Sequence, residues 1–336
     1  MSRGRNARRG ILAAVIAVLA LALVSFGALV VKANSAYEDS TRIDTAWCRT
    51  ESSFKDSTPA AFTTGTRDTG PFVDTAPYLM PDYHAVSFPS REAGVTIAAW
   101  WVPSTSAGAP AVVVVHGRGK CRGDPEVLLP AGMLHRNGFS VLVIDLRNHG
   151  GSTVTDGHQS FGVHEQTDVL GAWDWLQSEQ GIPANRIGLV GESLGAVAVM
   201  IAMGEEQAIA ATWEDSGYSD LDVFTDEELT KNGFPTWLHG GAILWARIIS
   251  GDDLTSRSPL DEVEKIGARP LAIVHGLADD RLSVHHAKDL AAAHATFVPG
   301  YAPWLVPRAL HLQAAFAAPA EYERRIVAFF RAGLGA

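Results

Sequence analysis

The sequence predicts an α/β fold, a mostly parallel sheet covered on both faces by helices. Two observations carry this. Short, continuous apolar runs, Ala111–Val115 and Ser140–Asp145 among them, read as strands buried on both faces. Between such runs lie segments with apolar residues at helical spacing, and the two patterns alternate to the end of the chain. No internal repeat of solenoid period competes with this reading.

The first element is of another kind. Ile11–Val31 is an uncharged, mostly aliphatic run. As a helix it spans roughly 32 Å, enough to cross a hydrocarbon core of ~30 Å. Arg3, Arg5, Arg8 and Arg9 precede it, which favours an N-terminus in the cytoplasm and a body outside it. Residues 1–36 are therefore expected to anchor the protein as a single pass. The alternative is a secretory signal, whose apolar region usually has only about 7–15 residues, cleaved near Val31-Lys32-Ala33 or Asn34-Ser35-Ala36. Residues 37–80 are rich in Thr, Ser, Asp and Pro and read as a polar stalk with little regular structure. Residues 81–336 read as one domain.

Within that domain, His84–Phe88 and Val95–Val102 are expected to form an antiparallel edge, with Arg91–Gly94 as the turn. Asp124 and Pro125 are the N-cap and first residue of a helix that Gly138 closes. A helix over Val163–Ser178 keeps Val169, Leu170, Trp173 and Leu176 on one face. Arg186–Val190 is a strand, Leu194–Met203 a helix of small residues, and Ile209–Trp213 a strand. An insertion at about 217–267 carries helices near Asp220–Lys231 and Pro235–Ile249. It leaves the carboxyl end of a strand, where α/β sites form, so it is expected to cap a pocket. Leu271–His275, a helix over Val284–Ala293, Ala302–Val306 and a helix over Pro319–Arg331 complete the alternation.

Charge narrows the function. The net charge is -10, but residues 1–36 hold five of the 27 basic residues and no acidic one, so the rest carries about -15. Nucleic-acid binders usually present a basic face, and this body does not. Cys48 and Cys121 are the only cysteines, too few for a disulfide-dense scaffold or an all-cysteine zinc site. They could pair with each other outside the cytoplasm or remain two buried thiols. Gly117-Arg118-Gly119-Lys120 lacks the spacing of a phosphate loop, and His164-Glu165 lacks the second His of a zinc protease. No metal or organic cofactor is expected.

Chemistry gathers at the ends of the strands. Gly191-Glu192-Ser193-Leu194-Gly195 fits G-x-S-x-G between a strand and a helix, which makes Ser193 the candidate nucleophile. A serine hydroxyl needs an adjacent base, itself oriented by a third group. His311, shortly after the last strand, is the candidate base. The acid is expected between the two in the chain. Asp279, at the first turn after Leu271–His275, is the choice; Asp280 is its neighbour and Asp215, after Ile209–Trp213, the dissenting candidate. The backbone N–H groups of Leu194 and Arg118 are the expected oxyanion donors. No substrate-binding residue is assigned. Arg118, Lys120 and Arg122 read as a solvated basic loop, and the adjacent His285 and His286 as surface residues.

Taken together, these residues resemble an α/β-hydrolase of the broad bacterial serine aminopeptidase-like group over about Tyr83 to Leu334. His116-Gly117 matches its oxyanion loop, and Asp145-Leu146-Arg147-Asn148-His149-Gly150-Gly151-Ser152 matches its D-x-R-x-H-G-x-S. The elbow at Ser193, His275-Gly276 with Asp279, and His311 follow in the expected order. Ala309-Leu310 stands where the group usually has glycine before its histidine. The resemblance implies structural roles for Arg147 and His149 in the turn beneath the site.

The expected function is a membrane-anchored, extracytoplasmic serine esterase acting on small or lipid-like carboxylic esters. A peptidase or amidase on short peptides is the second reading, and a non-catalytic surface binding protein the third. Acyl length and oligomeric state have no signature in the sequence.

Overall fold

The computed structural model describes residues 2–66 and 70–335; Met1, Ala336 and residues 67–69, the last within the expected stalk, lie outside the described residues. Its elements in chain order are α1 (Ser2–Thr41), α2 (Trp47–Thr50), β1 (His84–Pro89), β2 (Thr96–Val102), β3 (Ala111–Val115), α3 (Pro125–His135), β4 (Ser140–Ile144), α4 (Glu165–Ser178) and β5 (Ile187–Glu192). There follow α5 (Leu194–Glu205), β6 (Ala211–Asp215), α6 (Leu221–Lys231), α7 (His239–Ser250), α8 (Pro259–Ile266), β7 (Leu271–Gly276), α9 (His285–His294), β8 (Trp304–Val306), α10 (Ala314–Ala317) and α11 (Pro319–Leu334). The eight strands form one sheet in the order β1-β2-β4-β3-β5-β6-β7-β8. β1 runs antiparallel to β2, and β2 to β4; every other pair is parallel. This is the α/β architecture the sequence predicted.

The central strands are apolar throughout because both faces are covered. On β3, Val113 and Val115 join a core beneath α4, α5, α8 and α9. Val112 and Val114 point the other way, into a core with α3 and α11. Successive side chains of a strand alternate between faces, so a helix layer on each side demands apolar residues at every position.

The segment expected to be a stalk is built differently. α1 continues without a break to Thr41, and Tyr37, Ile43, Phe54, Phe62, Tyr78 and Met80 are buried against the body. Thr64 fixes the chain by accepting from the Val73 N–H and donating to its carbonyl. The apolar residues are isolated among polar ones in sequence, yet Phe62, Val73, Tyr78 and Met80 join the core on the α3 and α11 face of the sheet, and Tyr37 joins a smaller cluster with Phe161 and Tyr218. The N-terminal helix itself is exposed and apolar. From Gly10 it is long and apolar enough to cross a membrane, with a mean hydropathy of 2.8 over its best window.

The insertion contains α6 and α7, as its pattern predicted, and also α8, which the pattern missed. Its sequence signal was present: Ser258 and Asp261 form a reciprocal capping box, with Pro259 at the first helical position.

Candidate active site

Parallel strands end at one edge of the sheet, and the loops there supply the site. Ser193 sits between β5 and α5 with φ 53° and ψ -114°, a left-handed backbone that disfavours a side chain. The turn is tight enough to require glycine on both sides. A Cβ on Gly191 would lie 2.3 Å from the Gly195 carbonyl oxygen, and one on Gly195 2.4 Å from that of Val115. Both obstacles are backbone. Gly195→Ala should therefore lower stability by about 1–3 kcal/mol, as overpacking does; a thermal melt beside the wild type measures it.

Three loops bring the candidate residues together. His311, after β8, places Nε2 3.1 Å from Ser193 Oγ and Nδ1 2.8 Å from Asp279 Oδ2. Asp279, after β7, has a fully buried side chain. Its Oδ1 accepts from the N–H groups of Arg281 and Leu282, both at 2.8 Å. Burial alone would push this carboxyl up, but the His311 contact, the Leu282 N–H and His275 outweigh it and hold it below the ordinary value. It is thus a fixed, ionised acceptor beside the imidazole. Beneath it lies His275, fully buried, with Nε2 3.3 Å from Asp279 Oδ2 and 3.1 Å from the Leu282 carbonyl.

The other acids are placed elsewhere. Asp280 is exposed. Asp215, at the end of β6, lies below the elbow, and its carbonyl accepts from the Ser193 N–H at 2.9 Å. Its carboxyl oxygens are occupied: Ser216 donates to Oδ1 at 2.9 Å and the Tyr322 hydroxyl to Oδ2 at 3.0 Å. Burial raises its pKa to about 6, against the pull of those two donors. The fold therefore holds this proton more tightly than the unfolded chain, whose value is about 3.9. The stabilisation is full below the unfolded value and is lost as pH rises through about 6. Relative to the wild type, Asp215→Asn should gain about 2–3 kcal/mol between about pH 4 and about pH 7; urea unfolding at the two pH values tests this.

Around the expected oxyanion donors the chain is held from behind. Leu194 is the first residue of α5, where a helix leaves its N–H groups without intrahelical acceptors. The loop after β3 passes so close that a Cβ on Gly117 would lie 3.1 Å from Ser193 Cβ. His149 Nε2 accepts from the Gly119 N–H at 3.1 Å, while its Nδ1–H donates to the Arg147 carbonyl at 2.7 Å. His116 Nε2 accepts from the Leu146 N–H at 3.0 Å. Burial drives His149 down to about 3 and His116 down to about 4, so both act as neutral, two-sided connectors. Arg147 is anchored by Asp168 at 2.7 Å and Glu92 at 2.5 Å.

The basic residues beside this loop are not a solvated patch. The Arg118 guanidinium donates to the carbonyls of Asp39 and Arg42, at 2.8 and 3.1 Å. Lys120 pairs with Glu126 at 3.1 Å, and Arg122 with Asp145 at 3.5 Å. Nor are His285 and His286 both surface residues. His286 is buried and, with His285, flanks Glu227 of α6; its Nε2 lies 3.1 Å from the carboxylate. Arg281 of the acid loop pairs with Glu228 of the same helix at 2.6 Å. The insertion is thus tied directly to the loop that carries Asp279.

Among the described residues, two groupings bring metal-ligand atoms within 4.8 Å of one another: Cys48, Cys121 and Asp124, and Glu227, His285 and His286. In the first the two cysteines are free, buried thiols, and Asp124 Oδ2 already accepts from the Cys121 N–H and Sγ–H.

Comparison with known proteins gives this geometry a context. The sequence model of the prolyl oligopeptidase family matches residues 129–336. An uncharacterized protein of Mycobacterium tuberculosis is 33% identical over 129 residues, 38% of this chain and 43% of that protein. An uncharacterized peptidase of Bacillus subtilis, YtmA, is 26% identical over 159 residues, 45% of this chain and 56% of that protein. The chain thus spans about half the length of these curated relatives. Among solved structures, the Pyrococcus furiosus esterase Pf2001 superposes with a TM-score of 0.63 over 78% of this chain and 96% of its own, at 22% identity. Est1E of Butyrivibrio proteoclasticus, solved with ferulic acid, gives 0.58 over 75% and 100%, at 16% identity. At such identities the likeness is one of fold.

Proposed function

The chain belongs to the prolyl oligopeptidase family and is a serine hydrolase of α/β-hydrolase fold, and from that premise we propose that it cleaves carboxylic esters through an acyl-enzyme on Ser193. The carrying observation is the contact of His311 with Ser193 Oγ on one side and Asp279 on the other. In this reading Ser193 Oγ attacks the ester carbonyl while His311 Nε2 takes its proton. The negative oxygen that forms is met by the N–H groups of Leu194 and Arg118; one such donor is typically worth about 2.7–4 kcal/mol. His311 passes the proton to the departing alcohol, and Asp279 stabilises the imidazolium throughout. A water molecule then gives a proton to His311 as it attacks the acyl-enzyme, and His311 returns that proton to Ser193 Oγ as the carboxylic acid leaves. None of these steps calls for a metal or an organic cofactor.

Esters rank ahead of peptides because of what surrounds Ser193. Leu277, Leu310 and Leu312 lie on the acid and base loops. The nearby cations Arg118 and Arg281 are engaged by the chain's own carbonyls and by Glu228. Both guanidinium groups are thus committed within the chain rather than free to clamp a peptide carboxylate. The peptidase reading is supported by the family itself. In the same proposal α1 is a membrane anchor, with the hydrolase outside the cytoplasm and the insertion as its cap; a cleaved signal is the alternative.

A panel of acyl esters of graded chain length, run beside peptide amides with Ser193→Ala as control, tests the assignment. Esters should turn over faster; amides far faster than every ester would make it a peptidase. Failure of a fluorophosphonate to label Ser193 in the native protein would leave only a non-catalytic binding role.

A further inference from the structure

The cap carries an apolar face that none of the steps above uses. Leu244 and Ile248 lie one turn apart on α7, and Trp237, in the short turn Thr236–Leu238 directly before that helix, precedes Leu244 by two turns. They are 78%, 58% and 62% exposed, and Phe234 and Ile249 beside them are exposed as well. Trp237 is the one exposed tryptophan among the described residues. α7 contains no acidic residue and one arginine, Arg247, which pairs with Asp253 just beyond the helix at 3.1 Å, while Asp222, Asp226, Glu227 and Glu228 lie on α6.

The opposite side of α7 packs inward. Trp245 and Ala246 pack onto the cluster that contains Tyr37 of α1, so α7 lies directly against the N-terminal helix. That helix runs unbroken from its apolar span to Thr41. It is clamped there: Tyr37 stacks on His158, Gln159 donates to the Ser40 carbonyl at 2.7 Å, and Arg118 holds Asp39 and Arg42. From Val31, the end of the apolar run, to Tyr37 is about 9 Å of helix. No flexible linker separates the span from the body, so α7 is held at the height of the membrane surface.

Resting on the reading of α1 as an anchor, we propose that Trp237, Leu244 and Ile248 insert into the bilayer leaflet that α1 enters, docking the cap on the membrane and presenting Ser193 to acyl esters dissolved in that leaflet. An interfacial tryptophan at the start of a short helix with exposed apolar residues suits this depth. The acidic body gains nothing from anionic headgroups, so the contact is apolar and insensitive to salt.

α1 contains no tryptophan, which makes a direct test possible. The full chain is placed in phosphatidylcholine vesicles with and without brominated acyl chains. The bromolipid should quench part of the tryptophan emission, and Trp237→Phe should abolish that part while fluorophosphonate labelling of Ser193 stays unchanged. Leu244→Asp with Ile248→Asp should weaken the quenching while keeping Trp237. Equal emission in both lipids from chain that resists carbonate extraction overturns the docking, and so does quenching that survives Trp237→Phe. A lipid-independent dimer with Trp237 shielded overturns it in favour of a second copy. Chain extracted by carbonate overturns the anchor, and with it the docking. Hydrolysis of a water-soluble short ester reads the ester assignment separately.

Discussion

Ser193→Ala should lower kcat for ester hydrolysis by about 10⁵- to 10⁶-fold while leaving the fold intact. A fall of 10⁵ corresponds to about 7 kcal/mol of lost transition-state stabilisation. Alanine keeps the backbone of the elbow and removes one oxygen, whose partner in the structure is His311 Nε2. Without it no acyl-enzyme forms, and only direct attack by water in the remaining electrostatic environment persists. Steady-state kinetics on a short-chain ester, with far-ultraviolet circular dichroism as the control for folding, measures the effect. A residual rate within tenfold of the wild type would mean that another residue attacks.

The acid gives the second large effect. Asp279→Asn should cost about 10⁴-fold in kcat, because an amide cannot both accept from His311 and stabilise its charged form. The group is well determined: two backbone N–H groups fix one oxygen, and His311 meets the other. Asp215→Asn should change kcat less than about tenfold, because its carboxyl hydrogen-bonds to Ser216 and Tyr322 while His311 hydrogen-bonds to Asp279. Measuring both variants on one substrate separates the two acids that chain order alone left open. The reverse ranking would move the acid to the earlier strand.

Much of this site was legible because its signals are local. A glycine-flanked serine between an apolar run and a helix can be read without knowing what lies across the sheet. The continuous runs of β3 and β4 likewise announced strands buried on both faces. Misplaced boundaries have a physical cause. The strand expected at Ile209–Trp213 lies at Ala211–Asp215, because Glu214 and Asp215 are polar yet buried, and a polar residue does not extend an apolar pattern. The burial of Phe54, Phe62 and Met80 was hidden for a related reason: they stand far apart among polar residues, so no period appears, although Phe62 and Met80 enter the same core. His286 read as a surface residue because nothing in its own helix shows that Ser219 and Glu227 close over it. Tertiary partners of single side chains leave no spacing to read.

The continuation of α1 into the body also bears on proteolysis. A protease that cut after Ala36 would remove the apolar span from the hydrolase. The cut would fall just before Tyr37, Asp39, Thr41 and Arg42, whose contacts with His158 and Arg118 brace the loop beside Ser193. The shed enzyme would therefore keep its own brace. Trimming only a few residues further, past Arg42, would strip the carbonyls from Arg118 and loosen that loop, so the chain carries a sharp border between harmless and damaging truncation.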